Sequence, residues 1–187
     1  MTALYIILGV VVVLLLWAIA QYNRLVALRN LVQEAWKQID VELQRRHDLI
    51  PNLVETVKGY AKHEKGTFEE VTKARAAAAG PSSGPAAQAA SENFLTQALG
   101  KLFAVVENYP ELKADKNFQQ LQAELTNTED RIAAGRRFYN ANVRELNTKI
   151  ETFPTNIIAG MFGFHKEEYF ETVDPAARTA PTVSFDK

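Results

Sequence analysis

ALYIILGVVVVLLLWAIAQYNRLVALRNLVQEAWKQIDVEL, residues 3–43, decides the fold. Its first 18 residues, Ala3 to Ala20, carry no charge. At 1.5 Å per residue they make about 27 Å of helix, enough to cross the hydrocarbon of a bilayer. No Gly, Pro or turn cluster separates Ala20 from Leu25, so the helix is expected to run straight on. Beyond it Leu25, Leu28, Val32, Trp36, Ile39 and Leu43 recur three and four residues apart, the spacing of one apolar helical face. The stretch therefore predicts a transmembrane helix that continues into an amphipathic one.

Ala18-Ile19-Ala20 also fits the small-residue pattern of a signal-peptide cleavage site. Two features favour a retained anchor instead. No Lys or Arg precedes the apolar run, and the run exceeds the roughly 7–15 residues of a signal-peptide core. Trp17 and Tyr22 suit an interfacial aromatic belt, and Arg24, Arg29 and Lys37 lie on the carboxyl side of the span. The expected topology is single-pass, with the amino terminus outside and the body in the cytoplasm.

The same apolar phase continues through Ile50, Val54, Val57, Ala61, Phe68 and Val71. Residues 25–79 are thus expected to form one long helix kinked at Pro51 or two nearly collinear ones, with a fold at Pro51 or Gly59 as the other arrangement. GPSSGP within the 80–86 linker breaks the pattern. A second helix is expected from about Ala86 to Asn108, on Phe94 or Leu95, Ala98, Leu102, Val105 and Tyr109. After the turn-forming PELKAD, a third stripe runs through Phe118, Leu121, Leu125, Ile132, Tyr139, Val143, Leu146 and Ile150, with Asp115 as its amino-terminal cap and Phe153-Pro154 as its end. No convincing alternating β pattern occurs. The expected class is all-α: a transmembrane helix continuing into an antiparallel bundle of long helices. The expected organisation is an anchor at 1–23, a bundle at 24–153, an apolar carboxyl-terminal segment at 154–172 and a disordered tail at 173–187.

Composition narrows the chemistry. The chain of 187 residues has a formal charge of −1, with all 21 basic and 22 acidic residues after residue 23, so it lacks the concentrated basic field of a nucleic-acid binder. It has no cysteine, which excludes disulfides, thiolate catalysis, cysteine-based zinc sites and a lipidated amino-terminal cysteine. Its four serines, Ser82, Ser83, Ser91 and Ser184, sit in linker-like or tail-like contexts, and no phosphate-binding glycine loop is present. His63-Glu64 lacks the second histidine of a zinc-protease helix. The pairs Glu69-Glu70 and Glu167-Glu168 diverge by about 100° on a helix and cannot share one reacting bond. No catalytic, cofactor-binding or metal-ligating residue is assigned, and no cofactor is expected.

Two features stand out. His47 lies on the apolar stripe between Leu43 and Ile50, and its carbonyl is the one Pro51 leaves without a donor. It either fills a partly buried slot or, with Asp48, Asn52 and Glu55, forms a polar site at the kink that binds metal or senses pH. The second is the segment from Ile157 to Phe164. Its Ile157, Ile158, Met161, Phe162 and Phe164 either cap the open end of the bundle or contact a partner or the membrane interface.

RNLVQEAWKQIDVELQRRHDLIPNLVETVKGYAKHE (29–64) and YNANVRELNTKIETFPTNIIAGMFGFHKEEYFE (139–171), with its Phe-Pro, Ile-Ala and Gly-Phe elements in order, strongly resemble the LemA family of bacterial membrane proteins. The resemblance covers almost the whole chain. It implies an amino-terminal anchor followed by a helical bundle, and no established enzymatic activity. A magnetosome relative of the family implies a role in membrane organisation. Genetic neighbours of family members, TPM-domain membrane proteins or a membrane zinc peptidase, imply an accessory one. The expected function is a non-catalytic, self-associating scaffold or adaptor held in the bilayer through residues 3–20, with a membrane protein as a further partner. The alternatives are a regulatory subunit of a membrane enzyme such as a peptidase, or a metal or pH sensor built on His47 and Asp48.

Overall fold

The computed structural model describes residues 1–171; the tail expected at 173–187 lies outside them. The described residues form six helices and no strand: α1 Thr2–Tyr60, α2 Lys65–Ala78, α3 Pro85–Val106, α4 Pro110–Ala114, α5 Lys116–Glu151 and α6 Thr155–Met161. The chain is all-α, with the apolar amino-terminal helix running on into the helices of the body. Two compact units arise from it. Unit 1 comprises Met1–Leu43 and Asp130–Tyr169, and unit 2 comprises Gln44–Glu129 with Phe170 and Glu171.

Unit 1 is built on the first part of α1. Leu4 to Leu16 expose their side chains and none of the apolar window is buried, as a lipid-facing helix requires. Burial begins abruptly at Leu25 and follows the sequence stripe through Leu28, Val32, Ile39 and Leu43, with Ala35 in place of the half-buried Trp36. The second part of α5 packs here through Ile132, Tyr139, Val143 and Leu146. The rings of Trp36 and Tyr139 lie 5.5 Å apart. Gly135 sets the closeness of this pair of helices, because a Cβ there would stand 3.1 Å from Ile39 Cγ1.

Unit 2 contains the rest of α1, then α2, α3, α4 and the first part of α5. Its core joins Ile50, Leu53, Val54 and Val57 of α1 to Phe68, Val71 and Ala74 of α2, Leu95, Leu99 and Leu102 of α3, Leu112 of α4, and Phe118 and Leu125 of α5. Collinear continuation of α1 into α2 is not what forms. Arg75 Nε lies 2.6 Å from the His47 carbonyl, 28 residues earlier; on one straight helix the two would be about 42 Å apart. The chain turns between Tyr60 and Lys65, past Gly59, and α2 returns along α1, while Pro51 stays inside α1. At the next boundary α3 opens with Pro85 in its first turn, where the missing N–H costs nothing. PELKAD contains the short helix α4 rather than a bare turn. Asp115 then accepts the backbone N–H of Phe118 at 2.9 Å, the expected cap of α5.

Candidate functional sites: a buried charge cluster and an exposed apolar helix

Gln88, Glu92, Leu95, Leu99, Leu102 and Val106 of α3 are spaced alternately four and three residues apart, and all six are buried. Glu92 therefore cannot turn to solvent without rotating the apolar face out with it. A buried carboxylate is several kcal/mol unfavourable unless charge and hydrogen bonds offset its desolvation. Glu92 is supplied with both. Its Oε1 accepts from His47 Nε2 at 2.9 Å and from Gln88 Nε2 at 2.8 Å, and its Oε2 accepts from Arg46 Nη1 at 3.2 Å.

The partners are tied down in turn. Arg46, 2% exposed, also donates from Nη2 to Thr96 Oγ1 at 2.7 Å and pairs through Nε with Glu129 of α5 at 2.9 Å. Gln88 Nε2 reaches the Ala78 carbonyl at 2.9 Å, one of the carbonyls left over at the end of α2. Arg75 of α2 satisfies the His47 carbonyl, which Pro51 cannot. One network thus joins α1, α2, α3 and α5 within unit 2. A groove of about 460 Å³ has Arg46, Thr96, Gln122, Thr126 and Glu129 on its walls. There Arg46 donates from Nη1 and Nη2 to Glu92 and Thr96, and the Thr96 hydroxyl donates to the Glu92 carbonyl.

The four residues expected at the kink separate. His47 turns into the core at 4% exposure. Asp48, Asn52 and Glu55, four and three residues apart, share the solvent face. Asp48 accepts from Gln44 at 2.9 Å, the Asn52 carbonyl accepts from the Thr56 hydroxyl at 2.8 Å, and Glu55 pairs with Lys58 at 2.7 Å. Among the described residues no three His, Asp or Glu side chains are grouped as metal ligands. The sequence reading of Arg46 went no further than a surface or interhelical ion pair, and it passed over Arg75, Gln88, Glu92 and Thr96. The signal was present on α3, since stepping back three from Leu95 and then four more falls on Glu92 and Gln88.

The carboxyl-terminal segment folds on unit 1. Beyond the cis peptide at Phe153-Pro154, α6 buries Thr155, Ile158 and Ala159. Gly163 takes φ +67, which lets the Phe164 N–H reach the Ala159 carbonyl at 2.9 Å and the Gly163 N–H the Gly160 carbonyl at 3.5 Å. This is a Schellman close, and it places the Phe164 ring inward, 6.0 Å from the Tyr22 ring and under the Arg29 guanidinium at 5.0 Å. The chain then extends along α5. Asn147 holds the Glu167 backbone from both sides, accepting its N–H at 2.9 Å and donating to its carbonyl at 3.0 Å, and the Tyr139 hydroxyl donates to the Glu168 carbonyl at 2.8 Å. Burial pushes the Tyr139 phenol up to about 12, helped by the carboxylates of Glu167 and Glu168. Of the five apolar residues singled out here, Ile158 and Phe164 are buried, while Ile157, Met161 and Phe162 are exposed at 53%, 72% and 56%.

An apolar helix running into a helical body, closed by a glycine-capped apolar segment, defines a class of membrane-anchored helical proteins. A LemA family profile matches residues 35–185, and the chain belongs to the LemA family. Among curated relatives, magnetosome protein MamQ 2 of Paramagnetospirillum magneticum is 28% identical over 81% of this chain and 65% of its own length. MamQ of Magnetospirillum gryphiswaldense is 27% identical over 80% of this chain and 64% of its own. Protein LemA of Metamycoplasma hominis is 27% identical over 82% and 70%. The alignments thus span slightly less than two thirds of the magnetosome proteins.

Proposed function

We propose that this protein is a non-catalytic scaffold or adaptor of the cytoplasmic membrane that self-associates, with its amino terminus outside and its helical body in the cytoplasm. The observation that carries the reading is the uninterrupted α1, Thr2–Tyr60, which leads from an exposed apolar span into a packed unit without a flexible linker. Such a joint serves to hold a body at a membrane. The buried polar side chains support it: Arg46, His47 and Glu92 are engaged with one another, as in a structural network, rather than aimed at a cavity. The magnetosome names of two relatives agree with a role at membranes.

The test is gentle extraction of the full-length protein from its own membrane, followed by light scattering on the size-exclusion peak and mass spectrometry of its contents. Several copies of this chain, without a stoichiometric second protein, are expected. A single copy bound to one membrane enzyme would overturn self-association in favour of a regulatory subunit.

A further inference from the structure

A helix on a water-facing surface turns its polar side outward, whereas α6 leaves large apolar side chains exposed. Its polar Thr155 is buried with Ile158 and Ala159, while Ile157 and Met161, four apart on the helix, are exposed, as are Phe153 just before it and Phe162 just after it. Phe153 is 75% exposed and Met161 72%. Four large exposed apolar side chains on and beside a seven-residue helix are a liability in water.

The place where α6 is fastened says what covers this face. Thr155 Oγ1 donates to Gln21 Oε1 at 3.4 Å, and the Phe162 ring packs on Tyr22 at 4.7 Å. Gln21 and Tyr22 immediately follow Ala20, the last residue of the charge-free run, so they stand where that helix leaves the hydrocarbon. A group in contact with them lies within about one helical turn, 5.4 Å, of the same level. Of the nearby cations, Arg24 pairs with Glu145 at 3.2 Å, Lys166 pairs with Glu151, and Arg29 lies over the Phe164 ring. The attraction is apolar.

We propose that Phe153, Ile157, Met161 and Phe162 insert into the headgroup–acyl boundary beside the anchor, making α6 a second, monotopic membrane contact whose ligand is the lipid surface itself. The anchor then holds the protein in the bilayer, and α6 rests on it. Insertion depends on buried apolar area, so it takes place on zwitterionic lipid without anionic charge.

The chain has no cysteine, so single substitutions label uniquely. Full-length Met161→Cys, Phe162→Cys and the control Gln38→Cys, which lies 18 residues beyond Ala20 on α1, would each carry an environment-sensitive fluorophore in phosphatidylcholine vesicles. Nitroxide lipids are expected to quench positions 161 and 162 about twofold or more beyond position 38, as burial some 5–10 Å into the boundary requires. Soluble iodide is expected to quench position 38 preferentially. Preferential iodide quenching at 161 and 162 would overturn the proposal by leaving α6 in water. Protection from both quenchers would also overturn it, by showing that protein covers the face. Quenching by nitroxide lipid only when phosphatidylglycerol is added would overturn the apolar mechanism.

Discussion

Buried Glu92 is hydrogen-bonded to three side chains, and its removal leaves Arg46 with Glu129 alone and takes the partner from His47. Glu92→Ala is expected to cost about 3–5 kcal/mol, the scale of an uncompensated buried charge, read as a lower denaturant midpoint of the full-length protein in detergent. The double variant Arg46→Met with Glu92→Leu is expected to lose less, because it removes both charges; an equal loss would show that ion pairing is not what the cluster contributes. Tyr139 gives a pH signature. Its phenol ionises near 10.0 in the unfolded chain and near 12 in the folded one, so its contribution is complete below pH 10 and disappears as pH rises through 12. In a Tyr60→Phe background, needed because Asp115 raises Tyr60 in the same direction, Tyr139→Phe is expected to flatten alkaline destabilisation in that window. An unchanged slope would put its origin elsewhere. His47 was legible in the sequence as an oddity of an apolar stripe, but its partner was not. Periodicity tells which residues face inward on one helix; it does not tell which inward face of another helix they meet, and Glu92 is 45 residues away.

Among the elements, α3 and α5 were legible almost to their ends, because each is long and carries a stripe, α3 opening on Pro85 and α5 capped by Asp115 and ended before Pro154. The turn at Ala61–Glu64 was harder to see. Its residues AKHE include neither Gly nor Pro, and Val57, Ala61, Phe68 and Val71 keep phase across it because the helices on both sides bury the same face in one core. Helix α6 is under two turns long, too short for a period to register, yet its end is sharply specified. Only Gly163 has a positive φ at a position that the Phe164 and Gly163 hydrogen bonds both require. Gly163→Ala is expected to cost about 1–2 kcal/mol by forcing a Cβ into the left-handed region, while Gly163→Asn costs less. Thermal unfolding of the two variants checks the order. Equal losses would mean that this backbone conformation is not the constraint.

At the scale of the molecule, the sequence displayed the span and the amphipathic body plainly, since a charge-free run and a three-four stripe are both local signals. Division into two units was not legible, because α1 and α5 contribute to both and neither carries a break at the boundary. Orientation is open to a direct measurement. In intact cells a membrane-impermeant maleimide is expected to label Thr2→Cys and to reach Ser82→Cys only after lysis; the opposite pattern would invert the topology. The unbroken passage of α1 out of its span has one more consequence. A helix behaves as a torsion rod, and each added residue turns everything downstream by about 100°. Within Ala3–Ala20 that turn is inconsequential, because the span is apolar on every side. Between Tyr22 and Arg24 it would set the ring contact with Phe162 out of phase with the ion pair to Glu145. One extra alanine after Val13 is therefore silent, whereas the same alanine after Asn23 disengages α6 from the stem, so tolerance to insertion changes abruptly over a few residues where hydropathy alone would show only a gradual decline.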